Sequence, residues 1–173
     1  MKPMSLLHTW PLAYRVLIAV FVGVTLVGVV FGAVFIEATT HLTPTGVTAQ
    51  YRGLDEEAME SVPEMKFPKT TAEMLMTTHN HILGLSVLFL IYGFLYLHTV
   101  PMSRRRLIIA VEPLIGLVTT FGGLWIVRFL WPPFVYVVIL SGALMLGTTA
   151  WMGFRILVVC ARWGLEKEGE TRT

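Results

Sequence analysis

Four long apolar stretches govern what this chain can become. Leu17 to Ile36, Met74 to Leu97 and Phe134 to Phe154 carry no charged side chain, and Leu107 to Val127 carries one acid, Glu112. Each is close to the ~20 residues an α-helix needs to cross about 30 Å of hydrocarbon. Lipid offers a backbone amide no partner, so stretches of this length must be helical; a barrel is built from shorter, alternating segments. With 55% hydrophobic and only 14% charged residues in 173, little is left for a soluble domain. The expected fold is all-α: an integral membrane four-helix bundle, one membrane domain over 1–173. Its spans fall at about 17–37, 74–98, 107–130 and 134–156, with an outer loop at 38–71 and a cytoplasmic tail at 161–173.

Lys2 and Arg15 precede the first span as they would a secretory signal. That span is longer than a signal core, however, and Phe35-Ile36-Glu37-Ala38 offers no small-x-small cleavage site, so a retained anchor is expected. Lys2, Arg15, Arg104, Arg105, Arg106, Arg155, Arg162, Lys167 and Arg172 all fall on one side of the four spans. Only Arg52, Lys66 and Lys69 occupy the long loop on the other side, where Asp55, Glu56, Glu57, Glu60 and Glu64 outnumber them. The positive-inside rule then places both termini in the cytoplasm of a multi-pass protein of the bacterial inner membrane. The stretch from Gln50 to Lys69 is acidic, contains Pro63 and Pro68, and has too few apolar residues to fold alone. It is expected to order on a partner.

Local signals refine these boundaries. Thr70 and Glu73 have the spacing of a capping box, and Trp131-Pro132-Pro133 is so short that the third and fourth spans must be antiparallel neighbours. Gly28 and Gly32, Gly122 and Gly123, and Gly142, Gly147 and Gly153 predict close helix approach, because packing of small residues drives association in lipid. Trp10, Tyr14, Trp131 and Trp163 suit an interfacial belt.

Several chemistries are excluded. The single cysteine, Cys160, removes a disulfide framework, a cysteine zinc site, a thiolate iron–sulfur cluster and a covalent c-type haem. There is no P-loop, no GxGxxG, no HExxH and no GxSxG. The triple arginine at 104–106 reads as a topology determinant and anionic-lipid contact, with no folded basic domain to bind nucleic acid. The expected partners are therefore the bilayer, other membrane subunits and a periplasmic electron carrier.

Ionisable groups inside a span are costly and mark function. His79 and His81 lie at the outer end of the second span, with His41 on the same side, whereas His8 and His98 lie on the other. From His81 to His98 a helix rises about 25 Å. Residues two apart on a helix diverge by about 200°, so His79 and His81 cannot chelate one ion together. The line through His81 collects Thr77, Gly84, Leu88 and Tyr92, and Gly84 makes it the better candidate for a close helix contact.

Three readings of this region compete. In the first, a haem b takes His79 or His81 as one axial ligand and His41, or a partner's side chain, as the other. Arg128 then meets a propionate, or alternatively pairs with Glu37. In the second, Met74, Met76, His79 and His81 offer the thioether and imidazole donors that copper accepts, with Met59 and Met65 in the loop before them. In the third, the site holds no cofactor: the histidines bond across helices or to a partner subunit, and the methionines fill space. On the inner side, Glu112, followed by Pro113, forms a candidate quinone or proton site with His98 and Tyr92. The alternative is that Glu112 pairs with Arg104 to Arg106 or Arg155 and that Tyr92 and Tyr96 are interhelical hydrogen-bond donors.

The segment Thr77-Thr78-His79-Asn80-His81-Ile82-Leu83-Gly84-Leu85, with Gly93, His98-Thr99-Val100-Pro101 and the arginine run, resembles small bacterial inner-membrane proteins with a Thr-x-His-x-His element at a helix start. The resemblance covers roughly the second span and the loop after it. It implies a four-helix bacterial membrane protein in which His79 and His81 matter together, and it carries no activity. The leading expectation is an integral subunit of a bacterial respiratory or redox electron-transfer complex, with haem b near the periplasmic face. A non-catalytic accessory subunit and a copper-handling protein are the alternatives, and a subunit of an oxidoreductase complex is expected over a stand-alone enzyme.

Overall fold

The computed structural model describes residues 6–54 and 66–161, where all regular structure is helical. Helix α1 covers Leu12–Thr40, α2 Pro44–Arg52, α3 Thr71–Leu97, α4 Arg104–Trp125 and α5 Val135–Ala161. The end of α4 runs on into one π-helical turn, Ile126–Leu130. All but α2 are long and apolar enough to cross a membrane, as expected of a helical membrane bundle. The chain runs up and down, so Leu6, the α3–α4 connection and Ala161 share one end, the terminal end. Helix α2 lies at the other, the loop end.

Capping chemistry sets several boundaries. The Glu73 amide donates to Thr70 Oγ1 at 3.2 Å and the Thr70 amide to Glu73 Oε2 at 2.7 Å, completing the capping box that starts α3. Helix α1 stops where His41 and Leu42 adopt φ of 50° and 51°, and the His41 amide closes back on the Glu37 carbonyl at 2.7 Å. Left-handed backbone at two side-chain-bearing residues costs energy that the turn into α2 must offset.

Helix α2 lies inside the segment read from sequence as an outer loop at 38–71, and its signal was present. Thr43 Oγ1 accepts from the Gly46 amide at 3.0 Å, and Pro44 occupies the first helical position, where its missing N–H costs nothing. Val47 of α2 is buried with Met74, Val127 and Val135, which seats the short helix across the loop end. Burial also pushes the Tyr51 phenol up from its ordinary value. Gly53 ends α2 at φ 82°, and a Cβ there would sit 2.6 Å from Pro68 Cδ. The acidic run Asp55 to Glu64, Met59, Met65, Trp163 and the tail after Ala161 lie outside the described residues.

Helix α5 is the hub, packing against α4, α1 and α3. Its seam with α4 is made of small residues: a Cβ on Gly116 would lie 3.1 Å from Met145 Cβ, and one on Gly123 would lie 2.7 Å from Val138 Cγ2. Between them Thr120 and Ser141 share a 2.8 Å hydroxyl hydrogen bond. Helices α3 and α4 approach at Gly93, where a Cβ would meet the Ala110 carbonyl at 2.9 Å, and Trp125 Nε1 donates to Thr78 Oγ1 at 2.8 Å.

Helix α1 is peripheral, with only 6% of its apolar window buried against 28%, 33% and 22% in the other spans. It leans on α5 at Gly153, where Leu26 takes the space of a side chain. Tyr92 of α3 reaches α1 by donating to the Val22 carbonyl at 3.3 Å and by hydrogen bonding to Thr25. Contrary to expectation, Gly28 and Gly32 meet nothing within 4 Å, and the same holds for Gly122 and Gly147. The contact face of α1 runs instead through Arg15, Val22 and Leu26, leaving the glycine pair to one side. Gly142 makes only ordinary contact with Thr120.

This seam generates a paired test. Gly123→Ala is expected to lower bundle stability by about 1–3 kcal/mol, the usual range for overpacking, whereas its neighbour Gly122→Ala is expected not to lower it. Thermal unfolding of the two variants in one detergent measures the difference.

Candidate functional site

The antiparallel register of α3 and α4, Thr78 beside Trp125 and Gly93 beside Ala110, brings the first turns of α3 against the end of α4. His81 is held there by two contacts. Its Nδ1 lies 2.8 Å from the Thr77 carbonyl, which can only accept, so Nδ1 carries the hydrogen and Nε2 is left as an acceptor. The ring stacks on Phe121 with centroids 4.5 Å apart and planes 26° from parallel, while the residue remains exposed. The Thr77–His81 line read from the sequence is thus used, but Gly84 on that line meets nothing within 4 Å and makes no close helix contact.

His79 and Asn80 are exposed and make no hydrogen bond to the described residues. His41 is exposed in the left-handed turn that ends α1. The contact of Thr25 with Tyr92 fixes the level of α1 against α3, so His41 stands level with Met76, about 4–5 Å beyond His79 at the helical rise. No three His, Cys, Asp or Glu residues among the described ones come together as a metal-binding group. His41, His79 and His81 are therefore not assembled as one ligand set, because a separation of two residues on α3 aims its two imidazoles about 200° apart.

The expected copper donors separate as well. Met74 is 2% exposed, packed in the apolar cluster beneath α2, whereas Met76 is 62% exposed. Two residues apart on a helix, they face opposite surroundings. Arg128 donates through Nε to the Lys69 carbonyl at 2.8 Å and lays its guanidinium 4.8 Å over the Phe129 ring. It does not pair with Glu37, since the ion pair found among the described residues is Lys69 with Glu73 at 3.4 Å.

At the terminal end the proposed trio also stays apart. The Tyr92 hydroxyl is committed to Thr25 and Val22, the interhelical donor role. His98 Nδ1 lies 2.8 Å from the Phe94 carbonyl, and its ring packs edge-on to Trp10 at 5.5 Å. Glu112 forms no ion pair with Arg104, Arg105, Arg106 or Arg155, and among the described residues its Oε2 is buried without a hydrogen-bond partner.

Arg15 was read from the sequence only as a topology determinant, and the fold uses it otherwise. It is 1% exposed, with Nη2 donating to the Val159 carbonyl at 3.3 Å and the Cys160 carbonyl at 2.5 Å, and Nη1 to the His8 carbonyl at 3.4 Å. A cation at a helix C-terminus satisfies carbonyls that have no intrahelical donor and meets the negative end of the dipole. Arg15 lies two turns before buried Val22 on one face of α1, a spacing that gave its burial away. At the loop end Arg52 Nη1 donates to the Val127 and Arg128 carbonyls at 3.2 and 3.3 Å, and Lys66 Nζ to the Thr39 carbonyl at 2.5 Å. Arg15→Ala is expected to cost about 1.5–3 kcal/mol, the range for hydrogen bonds to a charged group. Trypsin should then reach the terminal end sooner than in wild type, measured as the rate of loss of the intact chain.

A family model described as a transmembrane helical domain matches residues 41–168, which takes in α2 to α5 and leaves α1 before it. No curated protein and no solved structure matches the chain.

Proposed function

Because the chain belongs to this transmembrane helical domain family, we propose that it is an integral, non-catalytic subunit of a larger membrane assembly. A second chain covers the edge of α3 that carries Met76, His79 and Asn80. The observation that carries this reading is the exposure of His79 and Asn80 two turns into an apolar helix. At the margin of the hydrocarbon an imidazole and a carboxamide lose water without gaining a partner unless another chain supplies one. The slight burial of α1 supports the same reading, since a span so little covered by its own bundle leaves room for neighbours.

A second reading is favoured by His81. A ring whose Nδ1–H is held by a backbone carbonyl presents Nε2 in a fixed direction, the arrangement that orients metal-ligating histidines. A haem b or a copper ion at the interface would be held by Nε2 of His81 from this chain and by a side chain of the partner, and would supply electron transfer there. The assembly is then a respiratory or redox complex of the bacterial inner membrane. The arginines of the terminal end face the cytoplasm, and an electron carrier docks at the loop end.

A photoreactive side chain at position 79, in protein kept in its native membrane, is expected to cross-link to a polypeptide; one at Val118, exposed on α4, is expected to take only lipid. Lipid adducts alone at position 79 would count against the subunit reading. A reduced-minus-oxidised spectrum decides the second reading. A b-type band lost in His81→Ala and kept in His98→Ala supports it, and a colourless complex removes haem.

A further inference from the structure

Glu112 is the acid that the bundle packs and does not pair. It lies eight residues along α4 from Arg104, about 12 Å at the helical rise. The contact of Thr120 with Ser141 sets the register of the α4–α5 seam, so Glu112 is level with Thr149. Its carboxyl turns along the seam into the space that Gly116 leaves: a Cβ on Gly116 would stand 3.2 Å from Oε1 and 3.4 Å from the Ser141 carbonyl. The other oxygen, Oε2, is buried and has no hydrogen-bond partner among the described residues.

Among the described residues, none of the charged or titratable groups of the packed elements forms an ion pair or hydrogen bond with Glu112. On α4 itself Arg104, Arg105 and Arg106 form no ion pair with it, and Arg106 Nη1 is taken by the Pro101 carbonyl. From α3, Tyr92 is bonded to α1, Tyr96 is buried in the apolar cluster at the terminal end, and His98 is held by Phe94. From α5, Arg155 forms no ion pair with Glu112, Cys160 lies in that same apolar cluster, Tyr136 sits at the far end, and the Thr149 hydroxyl donates to the Met145 carbonyl at 2.7 Å. Arg52 and Arg128 are at the loop end, engaged with carbonyls. Next to Glu112, Pro113 has no N–H to give to the Ile109 carbonyl, which leaves an acceptor one turn towards the terminal end.

We propose that Glu112 is a proton-binding site in the α4–α5 seam. One carboxylate oxygen forms an O–H bond with a proton drawn from the aqueous phase at the terminal end, and the same bond breaks to return it. A carboxylate oxygen without a partner inside a span is costly, whereas a proton removes the charge and turns that oxygen into a donor. Towards the loop end the seam is filled by Leu117, Phe121, Leu124 and Val138, all buried and apolar, over most of the span; the terminal end, about 12 Å away at the helical rise, is the nearer aqueous phase. This inference does not depend on the proposed partner interface.

A hydrophobic carbodiimide, dicyclohexylcarbodiimide, adds the O–H of a protonated carboxylic acid across its C=N bond and leaves a stable N-acylurea. Full-length protein in liposomes is treated with it over a range of pH and mapped by peptide mass spectrometry. The expected result is modification at Glu112 that falls as pH rises, with little from a water-soluble carbodiimide, and loss of the label in Glu112→Gln. Wild-type protein should also show a deuterium-sensitive carboxylic C=O infrared band that titrates with that label. Absence of both label and band across the pH range in wild type overturns the proposal, and so does equal reaction with the water-soluble reagent.

Discussion

Inside a bilayer, every carbonyl and amide that leaves regular helical pairing must find its replacement within the chain. This bundle meets that demand at its helix ends with cations. Arg15 takes the carbonyls that close α5, Arg52 those of the π turn after α4, Lys66 the last turn of α1 and Arg128 the strand of chain leading into α3. Charges counted from the sequence as markers of sidedness are therefore also the groups that hold α1, α2 and the loop-end connections onto the three-helix core. Basic residues suit this task because the C-terminal end of a helix is its negative pole, and Arg15, Arg52 and Lys66 each reach carbonyls there.

Between the ends, association depends on close approach. Gly93, Gly116, Gly123 and Gly153 each let a neighbour into the space of a missing side chain, and Thr120 with Ser141 adds a hydrogen bond where water is absent. The same absence of a side chain at Gly116 makes room for the Glu112 carboxyl. Packing and polarity in the α4–α5 seam are thus one arrangement, and the hub role of α5 follows from it.

Span number, the capping box at Thr70 and the antiparallel hairpin at Trp131 were all legible in the sequence, because each is a local signal of length, spacing or turn size. Helix α2 has its signal in Thr43-Pro44, a cap and a first-turn proline, but it is too short and too polar to stand out between two spans. Which glycines pack was not legible: Gly28 and Gly123 look alike in sequence and differ only in what the fold brings opposite them. The same holds at the site. Sequence spacing separated His79 from His81 correctly, but only the fold shows His81 turned onto Phe121, Met74 sunk beneath α2 and Glu112 left without its expected arginine.

The family match begins at His41, so the matched segment is the core of α3, α4 and α5 with α2 across its end, and α1 stands outside it as it stands at the edge of the bundle. On the proposed function, the polar side chains on the outer edge of this core are covered by another chain. The most direct measurement is the mass of the intact particle released from its native membrane in mild detergent, by native mass spectrometry. The account expects a particle in which this 19.4 kDa chain is accompanied by a second polypeptide; a single chain carrying only lipid would contradict it.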